Sequence, residues 1–183
     1  INIENALNRL IDEGFKFKAI YNFEKLGKCN KKFITDHIQW DKNKWLNDIA
    51  YSSVGICPAT HYGGAIRNFL ADKITCRKKN YNDFLLRYKN TLNASRSFVF
   101  HQLKIPVVAE IASCHHHIMG DETAGLICYS ENSWYESIKQ LEMNEGKRIK
   151  ISEKAYRIFY ELYSPEIWCE RFVEQLKEWV IDS

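Results

Sequence analysis

Between residues 3 and 13, Ile3, Ala6, Leu7, Leu10 and Ile11 recur at helical spacing, and Gly14 stands where a helix stops. Residues 17–21 alternate apolar and polar and predict a strand. A polar, turn-like stretch over residues 25–32 separates it from a second predicted strand at residues 33–40. Asp41 is placed to cap a helix carrying Lys44, Trp45, Leu46 and Ile49. Residues 53–58 then read as a short apolar strand ended by Pro58.

The middle of the chain is less regular. Tyr62-Gly63-Gly64 reads as a flexible turn, residues 65–72 as a helix start, residues 73–82 as a basic loop and residues 81–88 as helical. Residues 94–103 carry a further helix. After it, Ile105-Pro106-Val107-Val108-Ala109 and Ala124-Gly125-Leu126-Ile127-Cys128-Tyr129 are continuous apolar runs, the pattern of strands buried on both faces. Ser133, with Glu136 three residues on, predicts a capped helix through Tyr135, Ile138 and Leu141. Residues 152–163 and 165–181 predict two longer helices, the second opened by Pro165. Strands alternating with helices predict an α/β fold around a mostly parallel sheet, with ligands at the C-terminal ends of the strands.

Composition narrows the class. The 183 residues are 45% hydrophobic and 27% charged, enough to bury a core and to exclude a disordered or low-complexity chain. The net charge of +3 conceals an imbalance: residues 61–104 carry +7 and the remainder −4. Six cysteines without a C-x-x-C pair predict free thiols in a reducing setting. The chain opens without Met and inside a helical pattern, which predicts a segment ahead of it.

The basic segment leads into Arg87-Tyr88-Lys89-Asn90-Thr91-Leu92-Asn93-Ala94-Ser95-Arg96 and then, past a helix, into Ile105-Pro106-Val107-Val108-Ala109-Glu110. Cations at a helix start, where backbone N–H groups are unpaired, suit an anion; a solvated basic helix end has the same residues. Cys114-His115-His116-His117, near Asp121 and Glu122, lacks the spacing of a structural zinc site. Its position after an apolar strand suits contact with a phosphate or a sugar hydroxyl, and equally a bland role as polar loop or helix-start residues. Arg77-Lys78-Lys79 reads as a solvated run, with an anionic acceptor or membrane surface as the other reading.

These blocks, followed by Gly120-Asp121-Glu122-Thr123-Ala124-Gly125-Leu126-Ile127 and Ser133-Trp134-Tyr135, resemble the C-terminal, nucleotide-sugar-binding domain of GT-B glycosyltransferases of the group 1, family 4-like type. That family reads as a basic helix start, G-x-P-V-V-A, a loop and short helix, D/E-G-x-x-G-L-L, and a helix with W-x-x-A-L. The ending through Ala155-Tyr156 and Tyr163-Ser164-Pro165-Glu166-Ile167-Trp168 is also similar, so the resemblance covers about residues 53–180.

The resemblance implies a doubly wound, Rossmann-like sheet with helices on both faces, the C-terminal half of a GT-B architecture. Residues 1–183 would form one donor-binding domain, with residues 73–91 a basic insertion and residues 152–183 the C-terminal helices. Its first strand and the N-terminal acceptor domain would precede it. Arg96 and Lys89 would meet the donor diphosphate, with Arg87 beside them and Asn93 supporting the turn. The loop from Glu110 through His117 would present backbone N–H groups to the phosphates, with Ser113, His115, His116 and His117 facing them, and Glu110 and Glu122 would face the sugar.

The implied enzyme is a retaining hexosyltransferase of cell-surface glycan synthesis that uses a nucleotide-diphosphate sugar and no metal or other cofactor. It would be cytoplasmic, with peripheral contact at the inner membrane face, and would take a glycan or lipid-linked acceptor through the missing domain. It would not bind nucleic acid, and this fragment alone would be inactive, with its catalytic base unassigned. The chain departs from the family where an E-x7-E pattern is usual, carrying Thr91 and Val99, and Lys104 replaces a usual Gly. Two other classes therefore stay open. One is a non-catalytic Rossmann-like module that docks partners; the other is a sugar-nucleotide epimerase using Glu110 and Glu122.

Overall fold

The computed structural model describes residues 3–58 and 95–181. The sequence expectations for residues 62–94, including the basic insertion and Arg87, Lys89 and Asn93, lie outside the described residues. Helix α1 (Ile3–Asp12) precedes β1 (Lys18–Tyr21), the single turn α2 (Phe23–Leu26), β2 (Asp36–Gln39), α3 (Trp45–Ala50) and β3 (Gly55–Cys57). From residue 95 onward come α4 (Ser95–Gln102), β4 (Val107–Glu110), α5 (Ser113–Met119), β5 (Leu126–Cys128), α6 (Glu131–Met143), α7 (Glu145–Leu162) and α8 (Pro165–Ile181). Over the described residues the molecule is α/β, with two short parallel sheets. β1 pairs with β2 from Lys18↔Asp36 to Tyr21↔Gln39. The second sheet has the order β3-β4-β5, all parallel, with Gly55↔Val107 and Glu110↔Cys128 marking its register.

β4 is central in that sheet and all four of its residues are buried. Successive strand side chains point to opposite faces, and each face has its own apolar cluster. Val108, Leu126 and Cys128 pack with Ile3, Leu7 and Leu10 of α1 and with Trp134, Ile138 and Leu141 of α6. Val107, Ala109 and Cys57 pack with Ile118 and Met119 of α5, joined by Phe98 and Phe100 of α4 and Ile158 of α7. Helices therefore cover both faces of the three-stranded sheet. At Gly55 a Cβ would stand 2.5 Å from the Phe100 ring, so α4 approaches the sheet as closely as it does only over glycine.

α1 and α4 end in the same way. Gly14, at φ +94°, donates to the Ile11 carbonyl while Phe15 donates to that of Leu10. Lys104, at φ +54°, donates to the His101 carbonyl while Ile105 donates to that of Phe100. The second stop uses a lysine in a backbone conformation that favours glycine, and its ammonium lies 4.7 Å from the centre of the Tyr156 ring.

Of the boundaries that differ from the sequence expectation, three have a clear local cause. The second strand is four residues, Asp36–Gln39, because the Lys31–Ile34 turn and the Thr35 hydrogen bonds to Phe17 use the residues before it. The cap of α6 is Ser130 rather than Ser133: Ser130 Oγ accepts from the Ser133 N–H, and Ser133 Oγ accepts from the Ser130 N–H. α7 starts at Glu145, where Asn144 caps it by accepting from Lys147 N–H, well ahead of the predicted start at residue 152.

Candidate binding site at the strand ends

The exits of β3 and β4 collect most of the describable residues that the sequence singled out. Arg96 lies in the first turn of α4 and is exposed. It is close enough to Cys57, the last residue of β3, for its charge to favour the thiolate. Burial outweighs that effect and pushes the Cys57 thiol up to about 12, with Cys114 of α5 adding to the rise. Cys57 is thus an inert core residue that marks where Arg96 stands.

Glu110 closes β4 and is 1% exposed. The chain then turns through Ile111 and Ala112 into α5, so Ser113, His115, His116 and His117 stand on a helix and not in the loop expected over residues 110–117. His116 is exposed. His115 is buried at 6% exposure, and its Nδ1 lies 2.8 Å from the Glu110 carbonyl oxygen. The histidines therefore divide, as adjacent helical residues must: one turns inward to the strand end while its neighbour faces out. Glu122, exposed and at φ +57°, lies in the turn that leads into β5. Glu110 belongs to a strand exit and Glu122 to the approach to a strand. Both charges reach Cys128, which burial, the larger effect, pushes up to about 11.

The sequence reading missed His101. Its side chain is 0% exposed on the inner face of α4, neither ring nitrogen has a hydrogen-bond partner, and it meets the Phe98 ring edge-on with centroids 6.3 Å apart. Burial, and secondarily the neighbouring His115, hold its pKa down at about 4. The helical spacing of α4 places His101 one turn after Ser97, which is also buried, and that shared face was the available signal.

Other parts of the surface are separate from this site. Two open grooves of about 430 and 500 Å³ run along α7, both lined by Glu153 and Arg157, and none of the candidate residues lines them. Among the described residues no group of three or more His, Cys, Asp or Glu is arranged to hold a metal ion. Among the same residues no helix is long and apolar enough to cross a membrane. No protein-family model matches the chain, and no curated protein matches it.

Proposed function

We propose that the chain is the donor-binding half of a GT-B glycosyltransferase, which takes a nucleotide-diphosphate sugar at the exits of β3 and β4 and transfers the sugar to an acceptor on a second domain. The observation that carries the reading is exposed Arg96 in the first turn of α4, close enough to the end of β3 for its charge to act on Cys57, beside a parallel sheet covered on both faces. Strand exits of such sheets are where ligands bind. A guanidinium there offsets the charge that grows on a departing diphosphate. In this reading the sheet is the middle of a doubly wound, Rossmann-like domain working at the cytoplasmic side. The left-handed backbone of Lys104 supports it too, because the resembling family carries Gly at that position.

The division of labour follows from these positions. Arg96 binds the diphosphate, with Lys89, Arg87 and Asn93 contributing from outside the described residues. The β4–α5 turn closes the other side, with His116 exposed toward solvent. Glu110 is enclosed, which assigns it to holding the strand end rather than to proton abstraction; an epimerase gains no support from it. Val99, half-buried on α4, replaces the family's ribose-holding Glu, and that substitution favours a second reading, a module that binds nucleotide without turnover.

Calorimetry of the chain with UDP, GDP and ADP tests the proposal. At least one should bind, and Arg96→Ala should weaken it by about tenfold or more, the worth of a charge-assisted hydrogen bond. No binding of any of the three at millimolar concentration would refute a donor site. Turnover in the presence of the acceptor domain separates the transferase from the silent module.

A further inference from the structure

The contact between His115 and Glu110 has directional content. A carbonyl oxygen only accepts, so His115 Nδ1 carries the proton and donates across the 2.8 Å contact. The Ile111 N–H bonds to the Cys128 carbonyl of β5 at 2.9 Å. Backbone groups of successive strand residues point to opposite sides, so the Glu110 carbonyl points away from β5, toward the β3 side. The described β3–β4 ladder ends at Cys57↔Ala109. The His115 ring therefore takes a carbonyl lying just past the last described pair of that ladder.

The same residue is tied at its backbone. The N–H groups of His115 and His116 both donate to the Ala112 carbonyl, at 3.0 and 2.9 Å. Side chain and main chain together close residues 110–115 into a ring of contacts around the strand exit. Behind it lies the buried His101, which His115, after burial itself, helps to hold neutral.

We propose that His115 is a positioning residue: by donating from Nδ1 to the Glu110 carbonyl it fixes the turn of residues 110–115, and with it the surface that this turn presents to the diphosphate of a nucleotide donor. The inference rests on the donor-site reading for the identity of the ligand, but not for the behaviour of the turn.

Three variants isolate the donor. In His115→Asn the amide nitrogen takes the place of Nδ1, in His115→Gln it takes that of Nε2, and His115→Leu has none while keeping an apolar fill. Amide hydrogen exchange of the ligand-free chain is measured first, then affinity for UDP, GDP and ADP. Over residues 111–116 the Gln and Leu variants should exchange about tenfold faster than the parent, the value of one buried hydrogen bond, while His115→Asn stays close to the parent. Nucleotide affinity should fall by a similar factor in the first two and return in the third.

Unchanged exchange and affinity in both His115→Gln and His115→Leu would overturn the proposal, as would an Asn variant as impaired as the Leu variant. Should His115→Leu lower the melting temperature globally, the contrast between Asn and Gln decides. A parent that binds none of the nucleotides, yet shows the predicted exchange pattern, refutes the donor site and supports the role of His115 in the turn.

Discussion

His101 and Lys104, three residues apart on one helix end, are the two residues whose energetics run against their chemistry. His101 is buried with a folded pKa of about 4, below the ordinary value near 6.5. The unfolded chain therefore binds a proton that the folded chain does not between those two values. Stability should be highest above pH 6.5, fall as the pH drops toward 4, and level off below that. The loss reaches roughly 3 kcal/mol from this group alone. Denaturant melts from pH 4 to 7 should show that slope, and His101→Leu should flatten it; an unchanged slope would contradict the assignment. Lys104 sits at φ +54°, and replacing it with glycine removes a strain of about 1 kcal/mol. Lys104→Gly should raise the melting temperature by a few degrees, less whatever its contact with Tyr156 contributes. Spacing marks His101 only by the face it shares with Ser97, and it does not mark Lys104 at all. A histidine and a lysine near a helix end read as polar surface, and only the fold shows that one faces inward and the other has left-handed backbone.

At the scale of elements, the apolar patterns that made β4, β5 and α1 readable are those of segments buried along their whole length or on one clean stripe. Val107-Val108-Ala109 has no polar alternative, and its two faces meet different helices. The caps were harder because Ser130 and Ser133 are both hydroxyl residues, three apart. The spacing of a capping box fits either as the first member, and the hydrogen bonds choose Ser130. Ser130→Ala should cost about 1 kcal/mol of stability, read from equilibrium unfolding, whereas Glu136→Ala should cost far less. α7 was foreseen only from residue 152, since Lys147, Arg148 and Lys150 hide its first two turns in a polar run. The join of α1 to α6 went unread for a different reason: it is made by residues more than 120 apart in sequence. Glu13 accepts from both Tyr135 and Lys139, and the Arg9 guanidinium lies 3.9 Å from the centre of the Tyr135 ring.

For the whole molecule, the two covered faces of the β3-β4-β5 sheet and the largely uncovered α8 are opposite cases. Trp168, Phe172, Val173, Leu176 and Trp179 recur at helical spacing along α8, and Trp168 is 55% exposed. The described residues do not bury them, so they form an exposed apolar stripe along the helix. The sequence made the α/β class and the position of the strand exits legible, because both follow from local patterns. Which histidine turns inward depends on helix phase and on α4 lying behind it, and the run Cys114-His115-His116-His117 contains neither. The central claim, a diphosphate site beside the end of β3, is tested most directly by calorimetric titration of the chain and of Arg96→Ala with UDP, GDP and ADP. Binding of one nucleotide by the parent, weakened about tenfold or more in the variant, is the predicted result; equal affinity in the two proteins, or no binding by the parent at millimolar concentration, would contradict it.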